Sequence, residues 1–309
     1  EHPDGNFPTC PYPNPESPAA LELGLRLCEE TGADILLATD PDCDRVATAV
    51  LHEGKYRILS GNELGILMLD YICRTRKKLG KMPEHPVAIR SLVSSAMTDK
   101  VAERYGVELR KVLTGFKYVG EVIAGLEAEH RGDSFIFAFE ESCGYLSGGY
   151  VRDKDGVDAC LLVAELASAA KLEGKTLADW LEELYQKHGV WRSDVDNFIF
   201  EGASGMQAMA DIMERLRNHP PADLAGDEVV SVLDYQTGRE ISKGQSRGVK
   251  LPFTNMIELR LENNNTILVR PSGTEPKIKV YYTIIAQSHA QAADVSQAYR
   301  KAGKSLIQG

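Results

Sequence analysis

Apolar positions recur with two different periods along this chain. Leu21, Leu25 and Cys28 repeat at helical spacing, Ser17 can cap such a helix, and Gly32 is a residue that ends one. Two short apolar runs of strand length follow, with an acidic stretch between them. The predicted order is a helix after Ser17, a strand over 34–39, an acidic loop over 40–45 and a strand over 46–51.

Strands and helices then alternate as far as about residue 190. This alternation predicts an α/β layer domain whose loops cluster at the strand ends, where small-molecule chemistry takes place in such folds. The predicted elements are strand 87–95, helix 96–106, strand 107–113, loop 114–121, a helix to about 130, strand 134–140, a helix after Asp155 and a helix over 176–188.

Hairpin-like strands replace that alternation after residue 190. Paired strands over 256–261 and 266–270 flank the turn "ENNN", a last strand starts at Lys277, and Ser288 caps a C-terminal helix. We therefore expect an α/β fold class, with mixed-sheet α/β layer domains followed by a C-terminal α+β domain. The predicted division is residues 1–80, 81–190 and 191–309.

Composition limits the classes of partner. The 309 residues carry a net charge of -10, which argues against bulk nucleic-acid or anionic-membrane binding. Apolar runs are too short to span a bilayer, and no charged-then-apolar leader opens the chain. The six cysteines form no CxxC pair, so we expect reduced thiols in a cytoplasmic protein.

The acidic loop, in "ILLATDPDCDRVATAV", predicts a bound cation. Asp40, Asp42 and Asp44 alternate beside Arg45, and at roughly 5 Å and a dielectric of about 20 each carboxylate pair repels by about 3 kcal/mol. Oxygen ligands suit Mg²⁺ or Ca²⁺. An EF-hand is excluded, because Arg45 and Leu51 stand where glycine and glutamate are required. An aspartate-nucleophile phosphatase loop and a solvated acidic turn stay open.

Three further loops combine groups suited to a phosphorylated sugar. "FEESCGYLSGGYVRDKDG" offers Glu140 and Ser142 to hydroxyls, and Arg152 and Lys154 to phosphate, although a strand cap with surface ion pairs would look similar. "TGFK" begins with Thr114 and Gly115 after a strand. "RPSGTEPK" can present successive N–H groups to an anion, although "PSGT" alone is an ordinary turn. Its candidate residues are Arg270, Ser272, Gly273 and Thr274.

The sequence Asp40-Pro-Asp-Cys-Asp-Arg45 resembles the D-G-D-G-D-R metal loop of the α-D-phosphohexomutases, the phosphoglucomutase and phosphomannomutase superfamily. The resemblance implies that Asp40, Asp42 and Asp44 hold Mg²⁺ and that Arg45 steadies the phosphate of an active-site phosphoserine. Cys43 stands where glycine is usual in that family.

The other loops resemble this family's remaining motifs in the same order. Glu140 and Ser142 match its sugar loop G-E-x-S, Thr114 and Gly115 match T-G-[FW]-K, and residues 270–274 match its phosphate loop R-x-S-[GN]-T. The longer motif E-E-S-x-G-Y looks most like that of the phosphoglucomutase and phosphopentomutase branch. Tyr145 stands where phosphomannomutase-type members often carry histidine, so the resemblance does not imply a histidine acid/base here. Lys154 becomes the candidate for phosphate contact and for proton shuttling, with Arg152 as a further phosphate contact.

The resemblance implies a phosphosugar mutase that interconverts sugar 1-phosphate and 6- or 5-phosphate through a sugar bisphosphate of the glucose 1,6-bisphosphate type. The family's T-A-S-H-N-P phosphoserine motif does not occur in the sequence. We therefore expect the C-terminal part of a longer mutase, with the second half of family domain 2 over 1–80, domain 3 over 81–190 and domain 4 over 191–309. Its partners would be a phosphorylated sugar and the N-terminal remainder.

Alone, such a chain would be inactive. A non-catalytic sugar-phosphate-binding module and an aspartate-nucleophile phosphatase are the alternatives. Hexose or pentose preference and oligomeric state stay open.

Overall fold

The computed structural model of the protein describes residues 4–200, 202, 204–249, 252–272 and 276–308. The chain divides into two compact units, residues 1–187 and 188–309. None of the helices over the described residues combines the length and the hydrophobicity that crossing a membrane requires.

Helices and strands alternate through the first unit. Its helices are α1 Pro18–Thr31, α2 Gly61–Lys78, α3 Met97–Tyr105, α4 Phe116–Ala128, α5 Gly156–Leu172 and α6 Leu177–His188, with one 3-10 turn at Gly132–Ser134. Its strands are β1 Ile35–Thr39, β2 Val46–His52, β3 Lys55–Leu59, β4 Val87–Ser91, β5 Glu108–Val112, β6 Phe135–Glu140 and β7 Gly144–Leu146.

These strands form two sheets of different type. β1, β2 and β3 make an antiparallel meander in which Thr39 pairs with Val46, so the acidic loop is the connection of a hairpin. The other sheet has the order β5-β4-β6-β7, with β4 parallel to both β5 and β6. Because their carboxyl ends meet at one edge, the loops that follow β4, β5 and β6 lie together there.

Helix α2 packs against the parallel sheet over a nearly continuous apolar run. Leu64 and Met68 are fully buried, and a Cβ atom on Gly65 would lie 2.3 Å from the ring of Phe139 in β6. Glycine at this position therefore permits the close approach of helix and strand. Strand β4 is buried along its whole length, as is typical of parallel strands covered on both faces.

The second unit is an α+β layer. Its elements are β8 Val190–Ile199, α7 Gly205–Asn218, β9 Asp223–Leu224, β10 Asp227–Asp234, β11 Arg239–Ser242, β12 Gln245–Gly248, β13 Ile257–Leu261, β14 Thr266–Pro271, β15 Lys277–Ala286 and α8 His289–Gln308. The sheet order is β12-β11-β10-β13-β14-β15-β8, with β9 on β10, and all neighbours are antiparallel. Helix α8 packs on β8 and β15.

The mixed α/β fold class is confirmed, and so are the predicted helix α1 and the hairpin β13–β14. Ser288 caps α8 as predicted, since its Oγ accepts a hydrogen bond from Gln291 N at 3.2 Å. The loop prediction over 114–121 is wrong from Phe116 onward, where α4 begins. Strand β3 and helix α2 were not predicted, because apolar residues occupy most faces of α2 and blur the helical period.

A sequence signal for α2 does exist. Ser60 and Glu63 form a capping box, in which Ser60 Oγ accepts from Glu63 N and Glu63 accepts from Ser60 N. The short strand β7, within the predicted loop after residue 140, was also missed, because three residues are too few for an alternating pattern.

Candidate active site

The acidic loop is a tight turn that brings its three carboxylates together. Cys43 N donates to Asp40 O at 3.0 Å, and Asp40 Oδ1 accepts from the backbone N–H groups of Asp44 at 3.1 Å and Arg45 at 3.0 Å. One carboxylate oxygen from each of Asp40, Asp42 and Asp44 lies within 4.8 Å of the others. The predicted metal ligands therefore share one small volume.

Backbone contacts from two other elements hold the loop. Cys43 O accepts a hydrogen bond from Gly156 N, the first residue of α5, at 2.9 Å, and Val46 N donates to Cys143 O at 2.9 Å. A Cβ atom on Gly156 would lie 2.5 Å from Cys43 O, so only glycine allows this approach. Helix α5 and the turn before β7 thus fix the position of the acidic loop.

Arg45 lies against carboxylates on both sides. Its Nη1 is 2.8 Å from Glu16 Oε1, and its Nε is 3.6 Å from Asp40 and 3.7 Å from Asp44. Burial lowers the pKa of the guanidinium, but the charges of Glu16, Asp44 and Asp40 outweigh it and the net shift is upward. Arg45 is therefore a permanent cation at the side of the acidic cluster.

Lys154 is a second cation at the cluster, supplied from far along the chain. Its Nζ lies 2.8 Å from Asp44 and 2.9 Å from Asp153, and 5.4 Å from the centre of the Phe116 ring. Its stem crosses Gly144, where a Cβ atom would lie 2.2 Å from the Lys154 Cδ. Burial lowers the pKa of Lys154, but hydrogen bonds to Asp153 and Asp44 outweigh it and raise the pKa overall.

The cluster fits a hard divalent cation. Burial raises the pKa of Asp40, and the hydrogen bond from the Arg45 backbone N–H offsets part of this rise. The charges of Asp44 and Asp42 raise the pKa further, so the net shift is upward and the ionised form is destabilised. An ion bound by all three carboxylates would remove that cost, and such oxygen ligands suit Mg²⁺. In the part of the chain that the structure describes, no second group of three potential ligands converges in this way.

The two predicted sugar-binding loops lie against each other. Glu140, at the end of β6, is buried, and its Oε1 accepts from Gly115 N at 2.5 Å. Gly115 has a φ of 120°, a conformation that favours glycine. Thr114 and Ser142 lie half-buried in the same two loops. The carboxylate of Glu140 therefore ties the loop after β5 to the end of β6.

A neighbouring polar network was missed by sequence reasoning. Ser91 Oγ donates to Glu141 Oε2 at 3.0 Å and lies 2.7 Å from Ser94 Oγ, and both serines are buried. Arg90 is buried beside them, and its Nη2 lies 2.8 Å from Asp99 Oδ2. Polar residues directly after the apolar stretch of β4 were the available signal.

Arg152 is engaged away from the acidic cluster. Its guanidinium binds Glu127 at 2.5 Å and Gly149 O at 2.5 Å, and it is largely exposed. The structure therefore brings Arg45 and Lys154 to the acidic loop, but not Arg152.

The predicted phosphate loop belongs to the second unit. Arg270 and Ser272 line a cleft of about 350 Å³ together with Met206, Met209 and Asn255. Ser272 N donates to Lys277 O at 2.8 Å, which joins the end of β14 to the first residue of β15. Within the described residues no ion-pair partner of Arg270 is found. The predicted residues Gly273 and Thr274 lie outside the described part of the chain.

Comparison with known proteins assigns the chain to a family. Three models of one family match, described as phosphoglucomutase/phosphomannomutase alpha/beta/alpha domain II over residues 1–54, alpha/beta/alpha domain III over 60–188 and the C-terminal domain over 220–302. The chain belongs to the phosphoglucomutase/phosphomannomutase family. Its acidic loop lies in the domain II match and its sugar loops in the domain III match. The domain limits at 80 and 190 stay a prediction.

Individual relatives agree with this assignment. A phosphoglucomutase of Staphylococcus aureus (strain bovine RF122 / ET3-1) is 38% identical over 285 residues, which are 91% of this chain and 50% of the relative. A phosphoglucomutase of Staphylococcus haemolyticus is 34% identical over 293 residues, covering 94% and 52%. The chain thus spans about half the length of the curated relatives it matches.

Solved structures share the fold. Parafusin from Paramecium, a phosphoglucomutase, superposes with a TM-score of 0.63 at 17% identity, over 95% of this chain and 49% of that one. A family protein from Burkholderia thailandensis gives 0.62 at 18% identity, over 99% and 54%. At these identities the likeness concerns the fold alone.

Proposed function

We propose that this chain supplies the metal-, sugar- and phosphate-binding parts of a phosphosugar mutase. The reaction would interconvert a sugar 1-phosphate and a 6- or 5-phosphate through a phosphoserine and a sugar bisphosphate. The observation that carries the proposal is the convergence of Asp40, Asp42 and Asp44 beside Arg45 and Lys154 in a member of the phosphoglucomutase/phosphomannomutase family.

In this proposal the acidic loop holds Mg²⁺ through Asp40, Asp42 and Asp44. The ion would stabilise the negative charge of a transferring phosphoryl group. Arg45 and Lys154 would contact the same phosphate with their cationic groups. The upward pKa shift of Lys154 favours this electrostatic role over that of a proton donor at neutral pH.

The other loops would bind the rest of the substrate. Glu140 would accept hydrogen bonds from sugar hydroxyls, and Ser142 would exchange hydrogen bonds with them. Thr114 and Gly115, in the loop that Glu140 contacts, would bind the same sugar. Arg152 would have to leave Glu127 to reach a phosphate. Arg270, Ser272, Gly273 and Thr274 would bind the distal phosphate, so that a bisphosphate stays bound while it turns. Arginine suits that task because its planar fork matches phosphate oxygens.

Turnover would need a serine outside these residues. We expect no mutase activity when the 309-residue chain is assayed with glucose 1-phosphate, glucose 1,6-bisphosphate and Mg²⁺. Turnover by the chain alone would refute this part of the proposal. Hydrolysis of the phosphate ester that disappears in Asp40→Asn would indicate an aspartate-nucleophile phosphatase instead. Assays of a full-length protein on glucose 1-phosphate and ribose 1-phosphate would decide between hexose and pentose.

Phosphate binding can be tested without turnover. Arg270→Ala should weaken binding of glucose 1,6-bisphosphate about 10- to 100-fold, because a charge-assisted hydrogen bond is worth about 1.5–3 kcal/mol. Calorimetric titration measures this, with Arg239→Ala, an exposed position on β11, as the matched control. Equal affinities in both variants would remove Arg270 from the proposed site, and binding lost equally in Arg239→Ala would indicate non-specific charge attraction.

A further inference from the structure

Two cysteines face the contact between the acidic loop and α5. The sulfur of Cys43 lies 3.0 Å from the position that a Cβ atom of residue 156 would occupy. Gly156 is the first residue of α5, and Cys160 lies four residues further along the same helix. Residues four apart share one helix face, with Cβ atoms about 5–6 Å apart. A helical side chain leans toward the N-terminus, so Cys160 leans toward Gly156 and the Cys43 sulfur.

The electrostatics of the two thiols agree with these neighbouring positions. Burial raises the pKa of Cys160, and the charge of Cys43 raises it further, which agrees with the neighbouring positions that the geometry gives the two side chains. Both thiols are only half-buried, so small reagents can reach the pair. Cys28, Cys73 and Cys143 are by contrast buried.

The backbone of Cys43 adds an independent observation. Its φ is 57°, in the left-handed region that favours glycine. Both its N–H and its C=O are hydrogen-bonded, to Asp40 O and from Gly156 N, so the loop holds this conformation. A side chain at such a position lowers the stability of the fold, and the Cys43 thiol, which is only half-buried, does not offset this through packing in the core.

We propose that Cys43 and Cys160 form a reversible disulfide, a modification site that links the acidic loop to α5. The oxidant is a small-molecule disulfide such as oxidised glutathione. One protein sulfur attacks the reagent's S–S bond and releases one glutathione thiol, and the second protein sulfur then displaces the other glutathione. The protein thiols lose two electrons and two protons, and both protons end on the two released glutathione thiols.

The first test maps the disulfide in the whole chain. After incubation with oxidised glutathione and proteolysis, we expect a peptide pair joined through Cys43 and Cys160, two hydrogens lighter than the separate peptides and split again by dithiothreitol. The oxidised chain should also unfold at a higher temperature than the reduced chain, since the crosslink restricts the unfolded state. Neither readout depends on the proposed mutase function.

Variants separate this pair from the other thiols. Cys160→Ser and Cys43→Gly should each abolish the joined peptides and the rise in unfolding temperature, and glycine suits the φ of residue 43. Cys10→Ser, also at a half-buried thiol, should keep both effects. Reaction that stops at a glutathione adduct, pairing of Cys43 with Cys143 or Cys10, or an oxidised chain that is no more stable than the reduced one would overturn the proposal.

Discussion

The acidic loop and the carboxyl edge of the parallel strands both concentrate carboxylates, but they compensate the charge differently. In the loop, burial and the charges of Asp44 and Asp42 raise the pKa of Asp40. Asp99 of α3 lies against this edge: burial raises its pKa, but Arg90 of β4 and Lys111 of β5 outweigh burial and the net shift is downward. The same residue type is thus destabilised as an anion in one region and stabilised in the other.

The difference indicates two separate tasks. Carboxylates at the sheet edge already have donors, since Glu140 accepts from Gly115 N and Glu141 accepts from Ser91 Oγ. These hydrogen bonds hold loops in place, whatever else the carboxylates bind. The acidic loop keeps a surplus of negative charge even beside Lys154, which is the condition that an incoming cation satisfies.

The largest expected effect tests the loop as a metal site. Asp44→Ala should lower Mg²⁺ affinity more than about 100-fold, since even residues that only support ligands contribute about 10- to 100-fold. Calorimetric titration at fixed ionic strength measures this. Asp153→Ala is the control, because Asp153 also contacts Lys154 but is not part of the converging cluster. Unchanged affinity in Asp44→Ala would leave the acidic loop without a metal role.

The next largest effect concerns Asp99, whose negative charge is balanced by Arg90 and Lys111. Asp99→Asn should reduce the free energy of unfolding by about 2–3 kcal/mol at neutral pH, because it breaks an ion pair with the buried Arg90. Since the pKa of Asp99 is lowered in the folded state, the stabilisation is present above its unfolded-state pKa and is lost as pH falls through the folded pKa. Denaturant unfolding at several pH values measures the difference.

Asp133→Asn serves as the control for this experiment, since Asp133 is exposed. It should change stability little at any pH. A deficit of Asp99→Asn that stays constant down to acid pH would contradict the assigned role of its charge.

A smaller loss is expected where Glu140 holds the loop after β5. Glu140→Ala should cost about 1–3 kcal/mol, because it leaves the Gly115 N–H without its acceptor in a buried setting. Glu140→Gln retains an oxygen that can accept this hydrogen bond and should lose less. Urea unfolding compares the two variants, and equal losses would show that the charge, not the hydrogen bond, is what matters.

The smallest effect has the opposite sign. In the absence of divalent metal, Asp42→Asn should raise the free energy of unfolding by up to about 1 kcal/mol, because it removes repulsion within the cluster. Added salt should reduce the gain, since Asp42 is exposed. Thermal unfolding with a chelator present measures it. Destabilisation of metal-free Asp42→Asn would mean that nearby cations already balance the negative charge of the three carboxylates.

Local patterns were sufficient for some elements and insufficient for others. Helix α1 and the hairpin β13–β14 were predicted because their apolar periods are clear and turn residues bound them. Helix α2 was missed because burial on most of its faces removes the period. Helix α4 begins inside a predicted loop, because Thr114-Gly115 signals a turn whichever element follows it.

The sequence alone determined the acidic loop, because Asp40, Asp42 and Asp44 alternate within one turn and their repulsion is a local property of the chain. Only the tertiary structure decided what surrounds it. Lys154 reaches Asp44 because α5 packs its Gly156 against Cys43, and Glu140 meets Gly115 because parallel strands end at the same sheet edge. Such pairings join residues far apart in sequence, and no local pattern encodes them.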